Sequence, residues 1–354
     1  MRKIETKKLA AAVTALALCA GVLTGCGGAA SGTASSTAAA DSTPVASTAE
    51  SEETSAAEST DGKVYTVGIC QLVQHEALDA ATQGFKDALT EKLGEGNVKF
   101  DEQNASGDSA NCTTIVSGFV STGVDLILAN ATAPLQAAAQ ATPDIPVLGT
   151  SVTDYATALD ISDWTGTVGN NISGTSDLAP LDQQAAMIQE MFPDAKTVGL
   201  LYCSAEPNSV YQCDVIEGYL NEMGIETTRY AFTDTNDVTS VTQAAAAASD
   251  VIYIPTDNTA ASNTEAIANV VIPEKVPVVA GEEGICKGCG VATLSISYYD
   301  LGYTTGEMAV KILKGESNVS DMPIEYTDVT KKYNKTICDD LGLTVPEGYE
   351  AIEG

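Results

Sequence analysis

The sequence predicts an α/β protein of two lobes, each built on a sheet of parallel strands, with a cleft between the lobes. The stretch DVIYIPTDNTAAS at 250–262 is typical of a short buried strand, a polar turn and the start of a helix. The stretch DLILANATAPLQ at 125–136 repeats this plan about 130 residues earlier. Three further short sequence motifs recur in the same order, so the two halves are predicted to be two copies of one β-α-β series.

The first half alternates strands and helices along the chain. Apolar runs predict strands at 64–70, 98–100, 126–128 and 147–148, and helical spacing predicts helices at 78–93, 112–120 and 135–140. From 153 to 176 the alternation of apolar runs and helical spacing is interrupted by glycine, asparagine and threonine. We therefore expect extended strands that cross between the lobes there, and no helix.

The second half repeats the alternation and then returns to the first lobe. We predict helices at 178–192, 209–223, 244–249, 298–313 and 333–341, and strands at 196–202, 231–232, 251–254, 278–280, 291–297 and 324–329. The turn at 281–284 is expected to cross between the lobes. The first lobe is thus predicted to comprise 63–155 and 282–323, and the second 156–281 and 324–354.

The start of the chain is typical of an exported protein. A basic end and an apolar stretch predict a signal peptide over residues 1–25, which is too short and too early for a retained spanning helix. Leu23-Thr24-Gly25-Cys26 looks like the lipobox of bacterial lipoproteins, which implies cleavage before Cys26 and a lipid on its thiol. Residues 26–62 are rich in Ala, Ser and Thr and read as a flexible tether. We therefore expect a lipid-anchored protein at the extracellular face of the cell membrane.

Charge and cysteine content exclude several kinds of partner. The net charge of -31 repels nucleic acid and anionic lipid headgroups, which leaves the lipid as the only expected membrane contact. The motif Cys286-Lys287-Gly288-Cys289 lacks two further ligands for zinc, since the only histidine, His75, is far away in sequence. We expect a turn with a local disulfide or free thiols there, and neither a metal nor a cofactor.

Five spaced motifs resemble one family. They are QLVQHEALDAATQGF at 71–85, GTSVTD at 149–154, ISGTSDLAPLDQQ at 172–184, IYIPTDNTAAS at 252–262 and YYDLGYTTGEMAVKILKGE at 298–316. Together they are similar to ABC-transporter substrate-binding lipoproteins of the tryptophan- and tyrosine-binding type. The resemblance implies a type I periplasmic-binding fold, in which two Rossmann-like lobes joined by three crossings close on an aromatic L-amino acid. It also implies delivery to an ABC permease and ATPase by a monomer.

A pocket for an amino acid must satisfy one ammonium and one carboxylate away from water. We expect Asp257, between Thr256 and Asn258 at the turn of the second lobe, to bind the ammonium. The equivalent turn of the first lobe carries Asn130 and Thr132, which suit the carboxylate. Each of these side chains could instead only cap its own helix or turn.

Further candidates lie on loops at the ends of predicted strands. Gln74 and His75 follow the first strand, and Ser151, Thr175 and Ser176 suit carboxylate or hinge contacts. Tyr202, Ser204 and Asn208 occupy the matching loop of the second lobe. Glu282, in the turn at 281–284, is either a second ammonium partner or a solvated turn residue.

Other functions remain open or are excluded. The same fold carries sugars and nucleosides, but Trp164 is the only tryptophan and Arg229 the only arginine after the signal, so a sugar site would be short of its usual residues. No nucleophile elbow or phosphate loop indicates an enzyme. The export signal and the lack of a basic helix-turn-helix argue against a transcriptional regulator. A sensory or adhesion role is a further alternative.

Overall fold

The computed structural model describes residues 63–352 and contains two separate sheets of mainly parallel strands. The strands are β1 (Tyr65–Gln71), β2 (Val98–Asn104), β3 (Leu126–Asn130), β4 (Val147–Val152), β5 (Ile172–Ser176), β6 (Thr197–Cys203), β7 (Glu226–Phe232), β8 (Val251–Ile254), β9 (Val278–Ala280), β10 (Ala292–Ser295), β11 (Glu325–Tyr326), β12 (Thr330–Tyr333) and β13 (Glu350–Ala351). The predicted signal peptide, Cys26 and the tether at 26–62 lie outside the described residues.

Helices alternate with the strands, as in a doubly wound sheet. They are α1 (Glu76–Leu93), α2 (Ser109–Thr122), α3 (Thr132–Ala141), α4 (Tyr155–Ala158), α5 (Leu181–Met191), α6 (Pro207–Glu222), α7 (Val238–Ala246), α8 (Asn258–Ala261), α9 (Thr264–Glu274), α10 (Glu283–Cys289), α11 (Tyr298–Leu313) and α12 (Lys335–Leu341). Within residues 63–352, no helix combines the length and the apolar character that a membrane crossing needs.

The two sheets share one strand order. The first sheet runs β11-β5-β4-β3-β1-β2 with every pair parallel. The second runs β13-β12-β10-β9-β8-β6-β7, in which only the β10–β12 pair is antiparallel. The segments β4-β3-β1-β2 and β9-β8-β6-β7 are the same arrangement in the two sheets, which confirms the predicted repeat and the α/β fold class.

The chain crosses between the sheets three times, and the crossings differ from the predicted lobe boundaries. They follow β5, β10 and β11, so β5 belongs to the first sheet, although we expected 156–281 in the second lobe. Likewise β10 and the preceding α10 belong with the second sheet, although 282–323 was assigned to the first lobe. Of the predicted strand at 324–329 only β11 forms, in the first sheet, and β12 of the second sheet begins after it at Thr330. The prediction placed the lobe boundary before the glycine-rich stretch. That stretch only lengthens the connection between β4 and β5, and β5 still pairs with β4 in the first sheet.

The second lobe also corrects the cysteine motif. Residues 286–289 lie in α10 and not in a turn, and both thiols are buried against the apolar core. All seven cysteines in the described part of the chain are free and buried. A helix forms here because Glu282 caps it, with its carboxylate accepting from the backbone N–H groups of Gly284 and Ile285.

A close helix pair fixes the entrance to the first lobe. Helix α1 packs against α11, and Ala81, Phe85 and Ala88 lie at this contact. Gly84 and Gly302 allow this approach, because a Cβ at either position would overlap the backbone of the opposite helix. The pair places His75, just before α1, and Tyr298, the first residue of α11, beside the cleft.

Candidate functional site

A small cavity lies between the lobes at the carboxyl ends of the central strands, where open α/β sheets bind ligands. Its volume is only about 10 Å³, so it has room for little more than one water molecule. Seven predicted site residues line it. The first lobe contributes His75 and Ser151, and the second lobe contributes Asn208, Thr256, Asp257, Asn258 and Glu282.

Asp257 is a helix cap whose two carboxylate oxygens are already occupied. Oδ1 accepts from Ala260 N at 2.8 Å, and Oδ2 accepts from Cys203 N at 2.6 Å. The side chain is 1% exposed, and burial together with the neighbouring carboxylate of Glu206 raises its pKa to about 8. The capping alternative therefore accounts for the contacts of Asp257.

Glu206, on the same loop of the second lobe as Ser204 and Asn208, organises the start of α8. Its Oε2 accepts from the backbone and side-chain nitrogens of Asn258 at 3.0 and 2.7 Å, and its Oε1 accepts from Thr259 N at 2.8 Å. Asn208 adds a bond from Nδ2 to Thr256 O at 2.9 Å. The exposed N–H groups of this short helix are thus satisfied by the second lobe's own carboxylates.

Glu282 is the second buried carboxylate of this lobe that lines the cavity, and it also serves as a cap. Both of its oxygens are bonded to N–H groups in the first turn of α10, and the residue is 3% exposed. Burial raises its pKa to about 7, against the lowering effect of those backbone hydrogen bonds. Each carboxylate oxygen of Asp257 and Glu282 therefore already accepts a hydrogen bond from a backbone N–H of its own lobe.

Asp177 is the carboxylate that the sequence interpretation missed. It directly follows β5, lines the cavity and is 4% exposed. Tyr298 Oη donates to Asp177 Oδ2 at 3.0 Å, whereas Oδ1 is buried with no hydrogen-bond partner in the described structure. Burial raises the pKa of this carboxyl to about 6. The signal was present in the sequence, because Asp177 is the polar residue at the carboxyl end of a strand, but the extended chain at 153–176 was predicted to cross between the lobes and not to join the first sheet.

Ser151 presents an unused hydroxyl beside this carboxylate-lined space. The residue is 6% exposed, and its Oγ is buried without a partner in the described structure. Its φ of 54° lies in the left-handed region, which costs a serine about 1 kcal/mol or more. A strained backbone and an unsatisfied hydroxyl at one cavity wall are typical of a binding position.

His75 links the two lobes across the cavity. Its Nε2 lies 3.2 Å from Asn258 Oδ1, and because Asn258 Nδ2 donates to Glu206, the histidine is the donor in this contact. Burial lowers the pKa of His75. No side chain caps the N-terminus of α1, which His75 precedes.

The other predicted site residues lie away from the cavity, and their contacts revise the expectation. Asn130 donates to Leu78 O and Thr82 Oγ1 within the first lobe, and Ser176 Oγ donates to Thr153 O. Gln74 and Ser204 are exposed on their loops. The last three are buried in the body of their lobes: Thr132, Thr175 and Tyr202. They were predicted because they lie near strand ends, a rule that does not distinguish inward from cavity-facing side chains.

The electrostatics of the cavity favour a cationic group. Among its lining residues are Asp177, Asp257 and Glu282, and none is lysine or arginine. Within residues 63–352 no cluster of histidine, cysteine or acidic side chains is arranged to hold a metal ion. The arrangement can therefore accept one ammonium at the free oxygen of Asp177 while hydroxyl and N–H donors remain available nearby.

Comparison with known proteins identifies relatives over most of the chain. Residues 66–351 match the family model described as ABC transporter substrate binding protein. A tyrosine-binding protein of Clostridioides difficile (strain R20291) is 36% identical over 271 residues, which cover 76% of this chain and 78% of the relative.

Two similar solved structures differ in their ligand, since one holds L-Trp and the other is ligand-free and open. An ABC domain from Streptococcus pneumonia in complex with L-Trp is 32% identical, with a TM-score of 0.78 over 82% of this chain and 100% of that chain. The ligand-free, open structure of a substrate-binding protein with adhesive properties from Clostridium difficile is 38% identical, with a TM-score of 0.63 over 82% of this chain and 99% of that chain. The lower TM-score accompanies the higher identity, so the lobes of this chain are arranged more like those of the L-Trp complex.

Proposed function

The chain belongs to the family of ABC transporter substrate binding proteins, and we propose that it captures an aromatic L-amino acid between its lobes for an ABC importer. The family confirms the resemblance inferred from the five motifs. The observation that carries the ligand class is Asp177, a buried carboxylate with one oxygen unpaired among the described residues, in a cavity that neither lysine nor arginine lines.

The ammonium of the amino acid binds Asp177 Oδ1. A hydrogen bond to a charged group contributes roughly 1.5 to 3 kcal/mol, and a buried carboxylate without a partner costs free energy until a donor arrives. Asp257, the residue favoured by the sequence, has both oxygens occupied by backbone N–H groups. Asp177 therefore replaces it in this role.

The carboxylate of the amino acid binds the first lobe. Ser151 Oγ is buried without a partner, and the N-terminus of α1 lacks a side-chain cap. Free N–H groups at the start of an eighteen-residue helix attract an anion, and a serine hydroxyl adds a neutral donor. This keeps the division predicted from the repeat, with the carboxylate on the first lobe, but moves it from Asn130 and Thr132 to Ser151 and α1.

We propose that the ligand's side chain is aromatic because of what the relatives bind and because of the apolar surface that lines the cavity. One relative is named a tyrosine-binding protein, and another was solved with L-Trp. Leu78, Ala261 and the ring of Tyr298 supply apolar surface between the polar groups. The lobes must separate to admit such a ligand, because the cavity as it stands has room for little more than a water molecule.

Anchoring and delivery complete the proposal. Cys26 carries the lipid, residues 26–62 tether the folded part to the extracellular face of the membrane, and the closed monomer docks on the permease, whose ATPase drives uptake. Replacing Cys26 with serine should release the protein from the membrane fraction into the medium. Retention of the variant with the membrane would contradict the anchor.

The ligand class is tested on the protein comprising residues 63–354. L-Trp, L-Tyr and L-Phe are compared by calorimetry with their deaminated analogues, which keep the ring and the carboxylate. We expect tight binding of at least one amino acid and at least 100-fold weaker binding of its analogue. Equal affinity for both would overturn the ammonium assignment.

A pair of variants locates the ammonium. Asp177→Asn should weaken amino-acid binding by about 10- to 100-fold, since a neutral amide replaces the ion pair. Asp163→Asn, at an exposed position, is the matched control and should bind as the wild type does. Unchanged affinity in Asp177→Asn would move the ammonium elsewhere.

A further inference from the structure

Tyr298 and Asp177 join two of the three crossings at the edge of the cavity. Asp177 follows β5 at the first crossing, and Tyr298 begins α11 directly after the second. Both side chains line the cavity, and Tyr298 is 6% exposed. The hydroxyl of Tyr298 donates to Asp177 Oδ2 at 3.0 Å, so one carboxylate oxygen is held and the other, Oδ1, is left without a partner.

We propose that Tyr298 is a positioning residue that holds the Asp177 carboxylate ionised, with Oδ1 turned toward the ligand's ammonium. This inference rests on the proposed function, and it assigns a determinant of affinity to a side chain that need not touch the ammonium itself. A carboxylate with one oxygen fixed by a donor has fewer orientations to lose when the ligand arrives. The same donor stabilises the charged form over the protonated one.

The groups around Asp177 determine how much its ionised form depends on the hydrogen bond from Tyr298. Tyr155, from α4, and Glu282, at the start of α10, lie near this carboxylate, because its negative charge helps to raise the pKa of both side chains. Asp257 lines the same cavity, and His75, the one titratable base there, is turned toward Asn258. Among side chains only Thr153 and Tyr298 oppose the effect of burial on the carboxyl, whose pKa lies at about 6.

A purely structural tyrosine would behave differently. If Tyr298 only tied the two crossings together, its removal would change stability and affinity by the same factor at every pH. A tyrosine that keeps Asp177 ionised must also change the pH at which binding is lost. The shape of the pH profile therefore separates the two roles.

The neighbouring residue supplies a matched control. Tyr299 also donates its hydroxyl to a carboxylate, Asp87 Oδ2, at the same distance of 3.0 Å, but on the exposed outer surface of α1 and α11. Tyr298→Phe and Tyr299→Phe thus remove the same chemical group and the same kind of bond. Only the first bond adjoins the cavity.

The experiment measures the dissociation constants of L-Trp and L-Tyr between pH 5 and pH 8 for the wild type, Tyr298→Phe, Tyr299→Phe and Asp177→Asn, each checked by thermal melting. We expect Tyr298→Phe to bind about tenfold more weakly at pH 7 and to lose binding at a pH about one unit higher than the wild type. Tyr299→Phe should match the wild type in both respects.

The outcomes separate this inference from the proposed function. A wild-type pH profile in Tyr298→Phe, combined with lost binding in Asp177→Asn, overturns the positioning role and leaves the ammonium assignment in place. Wild-type binding by Asp177→Asn overturns the proposed ammonium site itself. If Tyr298→Phe does not fold, 3-fluorotyrosine at position 298 keeps the shape and makes a stronger donor, and it should move the loss of binding to lower pH. An unmoved profile there also contradicts the inference.

Discussion

The two lobes differ in whether their own side chains cap the helix N-termini at the cavity. In the second lobe, the first turns of α8 and α10 are occupied by the lobe's own carboxylates, from Asp257, Glu206 and Glu282. In the first lobe, α1 begins without a side-chain cap, and Ser151 Oγ has no partner in the described structure. The repeat thus gives both lobes similar strands and helices, but only the first lobe keeps donors free for a ligand.

A polar residue at a strand end therefore identifies a site only if its bonding capacity is unused. Asp257 satisfies its own helix, whereas Asp177 retains a free oxygen. Four sets of variants test this contrast between the second lobe, whose helix N-termini are bonded to its own carboxylates, and the first lobe, whose donors are free for a ligand.

The strongest effect is expected in Asp257→Ala, as a loss of stability. Two buried N–H groups, those of Cys203 and Ala260, lose their acceptor, and we expect the free energy of unfolding to fall by about 3 kcal/mol. Chemical denaturation measures this. Wild-type stability with lost ligand affinity would restore Asp257 as the ammonium partner and remove the contrast between the lobes.

The second prediction concerns the pH dependence of stability. Because the folded-state pKa of Glu282, at about 7, lies above its ordinary value of 4.5, the folded state binds more protons between these pH values. Its contribution to stability is fully present below pH 4.5 and is lost as pH rises through 7. Glu282→Gln should remove about 2 kcal/mol of this decline, as measured by unfolding at pH 4.5 and pH 7.5. An unchanged pH slope in the variant would show that another group causes the decline.

A smaller effect, on affinity alone, is expected from Ser151→Ala. Its hydroxyl has no partner to lose, so stability should stay within about 0.5 kcal/mol of the wild type while amino-acid affinity falls about tenfold. Ser173→Ala is the reverse control, because Ser173 Oγ donates to Met322 O at 2.9 Å inside the first lobe. It should lower stability and leave affinity unchanged; the opposite pattern would exclude Ser151 from the site.

The smallest expected effect is on the ligand's dissociation rate, and it compares two contacts that bridge the lobes. His75→Ala removes the buried contact to Asn258 and should raise the ligand's dissociation rate about threefold, as seen by stopped-flow fluorescence. Glu76→Ala removes an exposed ion pair to Lys287 at 3.1 Å and should change the rate hardly at all, because exposed pairs contribute little. Equal effects would show that closure depends on net charge and not on the buried contact.

The sequence predicted the fold well because repeated apolar runs and helical spacing are local signals. Parallel strands, the repeat and most helices follow from them. The lobe boundaries did not, since β5 and β10 join their sheets through long-range pairing that composition does not reveal. Residues 286–289 were mistaken for a turn because two glycines outweighed the cap that Glu282 provides.

The candidate site could be predicted only in part, and the reason is physical. Strand ends pointed to His75, Ser151 and Asp257, which do line the cavity. Sequence spacing does not show whether a carboxylate's oxygens are already bonded, and this is the ground on which we propose Asp177 in place of Asp257 as the ammonium partner. That information requires the positions of Cys203 N and Tyr298 Oη, which lie 54 and 121 residues away along the chain.

The glycine-lined contact between α1 and α11 constrains when the first lobe can form. Its first helix begins at Glu76, but the partner helix that covers the buried face ends only at Leu313. A nascent chain that has emerged only as far as β5 therefore carries a sheet that α1 alone covers on this side. We expect the first lobe to remain unfinished until nearly the whole chain has been synthesised, which favours passage across a membrane before folding.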